Sequence, residues 1–143
     1  MAITQLSVFV ENKAGRLAAI VDILAKNNIN MRALSIADTS DFGILRIIVD
    51  EPESAIALLS EAGITVKRTN VIGVVIDDVP GGLSKILTTV SDSGIVIEYM
   101  YAFVGKTHTK AITVIRTDDI QKTVEVLEKN GIHIIDDEQA KGI

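Results

Sequence analysis

Two short stretches hold the residues best placed to do chemistry. They are Glu11-Asn12-Lys13-Ala14-Gly15-Arg16-Leu17 and Asp77-Asp78-Val79-Pro80-Gly81-Gly82-Leu83. Each sits between an alternating apolar run (Leu6-Val8-Val10; Ile72-Val74-Ile76) and a helical apolar pattern (Leu17-Ile20-Val21-Leu24; Leu83-Ile86-Leu87-Val90). Each therefore reads as a strand-to-helix turn. A helix start presents unpaired N–H donors and a partial positive charge. Glycine there lets another group approach the backbone closely. A carboxylate can then gain several charge-assisted bonds without a basic side chain. The plainer reading is that Gly15 and Gly81 only supply the angles of a tight turn, and the spacing leaves both open. Asn12 and Asp78 hold matching positions: either can hold a ligand's amino group, or bond the local backbone as an Asx-turn.

Other polar and aromatic residues form no catalytic set. Asn30 is polar in an otherwise apolar strand, and its counterpart is Val96. Arg32 and Glu98 are matched positions of opposite charge and suit an ion pair. Tyr99, Tyr101 and Phe103 alternate on one strand face, as a ligand pocket or a packed interface. His108 and His133 have no cysteine or carboxylate spacing around them, which argues against a metal. There is no GxxxxGK[ST], no GxGxxG and no local Ser, His and acid trio. The reading is a binding protein, not an enzyme, with no cofactor.

The totals narrow the class further. At 143 residues the chain is one ordinary domain or two small ones. Apolar residues make up 48%, enough for a core. The net charge is −5 and the 14 Lys and Arg are scattered, which disfavours a nucleic-acid surface. With no cysteine there is no disulfide framework. Met1 to Gln5 lacks the features of a signal peptide, and no apolar stretch approaches the ~18 residues that span a bilayer. The expectation is a cytoplasmic protein with no membrane contact.

The elements that must position these turns follow in order. A strand over 4–10 leads to a helix over 16–27, ended by Asn27-Asn28. A strand from Ile29 to Ala37, a turn at 38–41 and a strand from Phe42 to Asp50 come next. The run Ile44 to Val49 is apolar on both faces, so both faces of its sheet should be covered. Pro52 opens a second helix, Gly63 ends it, and a fourth strand runs from Ile64 to Thr69. Asn70 then leads into the same order again: strand 71–76, helix 83–91, strand 95–104, a turn at Gly105 to His108, strand 110–116, helix 118–129 and strand 132–135. Residues 136–143 read as a fraying polar tail. Gly15 and Gly81 are 66 residues apart, while Gly63 and Gly131 are 68 apart, so the second copy gained two residues near its hairpin. Helix stripes, turn glycines and element order agree on an internal repeat. The fold class is α+β: two ferredoxin-like βαββαβ repeats, 1–70 and 71–143, packed together, with antiparallel sheets and helices on one face.

These residues resemble the ACT domain. The first copy, Val10 to Leu17 with Asn28-Ile29-Asn30 after the helix, is similar to the ACT domain of serine-regulated phosphoglycerate dehydrogenases. The second copy fits the looser pattern, and together they cover nearly the whole chain. The resemblance implies a regulatory protein of amino-acid metabolism that binds a free amino acid where two ACT units meet. It implies ligand contacts from Asn12, from Ala14, Gly15, Arg16 and Leu17, and from Asn30 with Met31. In the second copy the matching set is Asp78, Pro80, Gly81, Gly82 and Leu83, with Glu98 on its second strand. The family's histidine before the turn is Val10 here, which speaks against serine. With no catalytic domain in this sequence, the regulated enzyme is another chain, and a homodimer is expected. The rival reading is a ligand-free interaction module or regulatory subunit.

Overall fold

The computed structural model describes residues 2–38, 41–104 and 110–142. The chain forms two compact units, one of Thr4–Thr69 and one of Ile3 with residues from Asn70 onward. In the first unit the elements are β1 (Ile3–Glu11), α1 (Arg16–Lys26), β2 (Met31–Asp38), β3 (Phe42–Val49), α2 (Pro52–Glu61) and the opening of β4 (Val66–Asp77). Its strand order is β2-β3-β1-β4. The antiparallel register pairs Glu11 with Phe42 and Asp38 with Gly43, and places Met31 opposite Val49. The apolar stripes of both helices close on one sheet face. Ile20 and Leu24 of α1 and Ala55 and Leu59 of α2 pack with Leu6 and Leu45. Each large aliphatic side chain so buried contributes roughly 1.5–3 kcal/mol. Ile48, on the opposite face, is also buried, as a strand apolar on both sides requires.

The second unit repeats the plan with the rest of β4, then α3 (Gly82–Asp92), β5 (Ile97–Ala102), β6 (Lys110–Thr117), α4 (Ile120–Lys129) and β7 (Ile134–Ile135). β6 lies between β4 and β5, and β7 pairs with the other edge of β4 at Gly73 and Val74. Ile86, Val90 and Leu127 close over Ile72, Val74 and Ile115. The helices end where expected: Asn28 takes φ 57° and Gly94 φ 72°, both left-handed.

Two expectations change. The strands read at 64–69 and 71–76 are one strand, β4, because Asn70 is polar but extended and interrupts nothing. The tail does not fray as a whole. Asp137–Lys141 form a short helix, α5, held by a capping box in which the Asp136 side chain accepts from Gln139 N and Gln139 Oε1 accepts from Asp136 N. Ala140 on that helix is buried. The turn expected at 105–108, with His108, lies outside the described residues, as do Thr39 and Ser40.

Candidate functional site

The two strand-to-helix turns share one backbone. Lys13 N donates to Glu11 O at 2.8 Å, and Val79 N to Asp77 O at 2.8 Å. Arg16 N donates to Lys13 O at 3.2 Å, and Gly82 N to Val79 O at 3.0 Å. Ala19 N reaches Gly15 O at 3.0 Å, and Lys85 N reaches Gly81 O at 3.1 Å. Gly15 (φ 85°, ψ −10°) and Gly81 (φ 88°, ψ −9°) hold the third position of a type II turn, where φ must be positive. Ala14 and Pro80 fill the position before it, which suits proline.

Two other helices, α4 and α5, carry a side-chain cap, whereas α2, like α1 and α3, carries none. In α4, Asp119 accepts from Lys122 N at 3.0 Å, and in α5 Asp136 does the same office for Gln139. Neither α1 nor α3 has a side-chain cap. The turn itself occupies the Arg16 and Gly82 amides. Among the described residues no acceptor serves the amides of Leu17 and Ala18, or of Leu83 and Ser84. These are the donors an anion would meet.

Each turn adjoins a cavity built from matching positions. The first is about 370 Å³ and is lined by Phe9, Glu11, Arg16, Ala19, Ile20, Ile23, Phe42 and the Ala62–Thr65 loop. It forms because β1 ends beside the start of β3 and because Phe9 N bonds Thr65 O at 3.0 Å. Its lining mixes polar and apolar atoms, and Phe9 and Phe42, both exposed, are its two aromatic residues. Glu11 and Arg16 supply one charge of each sign at its rim. Glu11 pairs with Lys13 at 3.2 Å, whereas Arg16 has no ion-pair partner among the described residues. A neighbouring cavity of about 330 Å³ shares Glu11 and Phe42 and adds Asn12, Lys13 and Asp41.

The second turn's cavity is about 220 Å³. Val75, Asp77, Gly82, Lys85, Lys110 and His133 stand where the first has Phe9, Glu11, Arg16, Ala19, Phe42 and Thr65. Lys110 Nζ bonds the Asp77 carboxylate across the strand pair, and that bond and charge hold the Asp77 pKa below its usual value, with Lys85 adding to the effect. Gly82 is the tight point: a Cβ there would lie 2.1 Å from Asp77 O.

The expected ligand residues fall into separate groups. Asn12, Ala14, Gly15, Arg16 and Leu17 gather at the first turn, and Asp78, Pro80, Gly81, Gly82 and Leu83 at the second. Asn30 and Met31 stand at the far end of the first sheet, since Met31 pairs with Val49 while Glu11 pairs with Phe42. Asn30 N donates to Asp50 Oδ1 at 3.0 Å, just as Val96 N donates to Asp118 Oδ1 at 3.1 Å. Glu98 sits on a bulge of β5 and accepts from Arg116 Nε at 3.3 Å. The matched bulge of β2 carries Arg32, whose buried Nε has no partner among the described residues. Tyr99 and Tyr101 stack with ring centres 6.5 Å apart. Phe9, Phe42, Lys85, Lys110 and His133 were not among the expected site residues. The signal that exposes them is the repeat itself, read for where apolar positions in one copy turn basic in the other. No group of side chains suited to a metal occurs among the described residues, and no described helix is long and apolar enough to cross a membrane.

The comparisons with known proteins agree with this architecture. A family model described as an ACT domain pair matches residues 1–143. A crystal structure of a Bacteroides thetaiotaomicron protein is 40% identical, covering 100% of this chain and 98% of that one, with a TM-score of 0.94. The ligand-free regulatory subunit of aspartate kinase from Thermus thermophilus superposes with a TM-score of 0.64 at 16% identity, over 88% of this chain and 91% of that one. The corresponding subunit from Thermus flavus gives 0.58 at 15% identity, over 88% and 90%. At those identities the two subunits share the fold. No curated protein compared with the chain matches it.

Proposed function

The chain belongs to the ACT domain pair family, and from that premise we propose that it is a regulatory sensor of a free amino acid rather than an enzyme. The amino acid lies in the cavity of the first repeat. Its carboxylate meets Arg16 and the open amides of Leu17 and Ala18, its ammonium meets Glu11 and Asn12, and its side chain lies against Phe9 and Phe42. An apolar side chain fits best, because two phenylalanines and several aliphatic residues line the cavity beside one charge of each sign. A volume of about 370 Å³ lies within the roughly 300–1,000 Å³ of small-molecule sites. The observation that carries the reading is the uncapped start of α1 beside an unpaired arginine and a cavity lined by two phenylalanines. Binding regulates a partner enzyme by favouring one of two states of this protein, which requires a difference in affinity between them.

Calorimetry against the twenty amino acids tests this. One or a few apolar amino acids should bind, and Arg16→Gln should weaken them about tenfold or more, the worth of a charge-assisted bond. No heat for any of them at about 10 mM, weaker than nearly all useful sensing, would remove the sensor reading. The interaction-module reading then gains weight from β2, an edge strand that exposes Leu34 (45%) and Ile36 (51%). An exposed apolar edge suits pairing with another chain, a second copy included. Sedimentation of the pure protein would show whether it is the expected homodimer.

A further inference from the structure

We propose that the second repeat's cavity is a separate site for a small ligand carrying two negative charges, a phosphate monoester or a dicarboxylate. Three basic residues, all exposed, line it from three places in the fold: Lys85 on α3, Lys110 at the start of β6, and His133 after α4. Asp77 is the one carboxylate among the described lining residues; it bonds Lys110 and also feels the charge of Lys85. Lys85 has no ion-pair partner among the described residues. Of the start of α3, Gly82 and Lys85 line the cavity, and the open amides of Leu83 and Ser84 lie between them in the chain. Two lysines in one cavity repel one another unless anions join them, and Asp77 supplies a single negative charge.

Comparison with the matching cavity shows that this gathering is not imposed by the fold. The same backbone carries Ala19, Phe42 and Thr65 in the first repeat, so no position there demands a basic residue. The aromatic walls are gone as well: Phe9 and Phe42 become Val75 and Lys110. A monocarboxylate with an apolar side chain would find little to stack on. Volume sets the other limit. About 220 Å³ is room for roughly seven waters at liquid density, too little for a nucleotide and enough for a small dianion.

The test is an NMR titration of the full chain, labelled with nitrogen-15, by inorganic phosphate and separately by succinate at fixed ionic strength. Either anion or both should move the Gly82 and Ile132 amides and the His133 imidazole saturably, and the tighter of the two names the source. Lys85→Gln and His133→Gln should each weaken binding about tenfold, the worth of one charge-assisted bond, while Lys26→Gln, on the other unit, changes nothing. Shifts that chloride reproduces, an affinity unchanged in Lys85→Gln, or no saturable shift with either anion would overturn the proposal. The amino-acid reading of the first cavity is decided by its own titration and survives any of these outcomes.

Discussion

The first repeat places Arg16 where the second places Gly82, and Phe42 where the second places Lys110, yet the turn beneath them has the same hydrogen bonds in both. The positive charge has moved from the turn to the second turn of the helix, at Lys85, and to the neighbouring strand. The aromatic wall has gone with it. Backbone and ligand chemistry are therefore set by different residues. A glycine with positive φ and an uncapped helix make the cradle, and side chains from three distant stretches decide what it accepts. A copied fold can keep the first and change the second without a cost in the turn.

Gly82→Ala is the hardest blow to that equivalence. A Cβ at 82 would sit 2.1 Å from Asp77 O, a backbone atom that cannot swing aside. The variant should lose about 2 kcal/mol or more in urea unfolding. Arg16→Ala, at the matched position, already has a Cβ and should stay within roughly 0.5 kcal/mol. Equal losses at the two positions would mean that the second turn is not drawn tighter than the first.

Exchanging the linings comes next in size. Ala19→Lys with Phe42→Lys gives the first cavity two of the second's cations and removes one aromatic wall. Affinity for an apolar amino acid should fall several-fold, since half-exposed Phe42 can supply only part of the roughly 1.5–3 kcal/mol of a fully buried Phe. Succinate or phosphate should begin to bind, read by calorimetry. If amino-acid affinity is untouched, the ligand does not lie against Phe42.

A smaller effect tests the shared part. Gly15→Ala and Gly81→Ala find open space for the new Cβ, so each pays only for the left-handed backbone, about 1 kcal/mol. The two losses should match. Asp119→Ala should cost a similar ~1 kcal/mol, because α4 has the side-chain cap that α1 and α3 lack.

The turns were legible because their signals are local: a glycine between a period-two run and a helical stripe, met twice in the same order. The βαββαβ order followed from the same signals. The cavities were not legible, because Phe9, Ala19, Phe42 and Thr65 lie in four separate stretches and only strand register unites them. His133 reads in sequence only as a poor metal ligand, because its place in one cavity with Lys85 and Lys110 is set by the fold and not by near neighbours. The division of β4 was misread because Asn70 looks like a break, although an extended asparagine keeps its ladder. The tail was misread for the opposite reason. Asp136 and Gln139 are polar, but at that spacing polarity is a cap.

The smallest effect sharpens the comparison where the charges differ. Asp77 titrates below its ordinary value of 3.8, first through the hydrogen bond from Lys110, then through the charges of Lys110 and Lys85. Its first-repeat counterpart, Glu11, faces Phe42 across the strands and pairs with Lys13 instead. A carboxylate with a depressed folded pKa stabilises the fold fully above its unfolded value and loses that contribution as pH falls through the folded one. Lys110→Gln should return Asp77 toward 3.8, followed by the carbon-13 shift of its carboxyl group. The small stability difference between variant and parent, screened because both side chains are more than half exposed, should be present near neutral pH and fade as pH falls below 3.8 through the lowered folded value. If the Asp77 titration does not move, Lys85 is the group that holds the carboxylate ionised. Asp77 would then already satisfy the lysine that the proposed anion needs, and the second cavity would be closed to it by its own side chain.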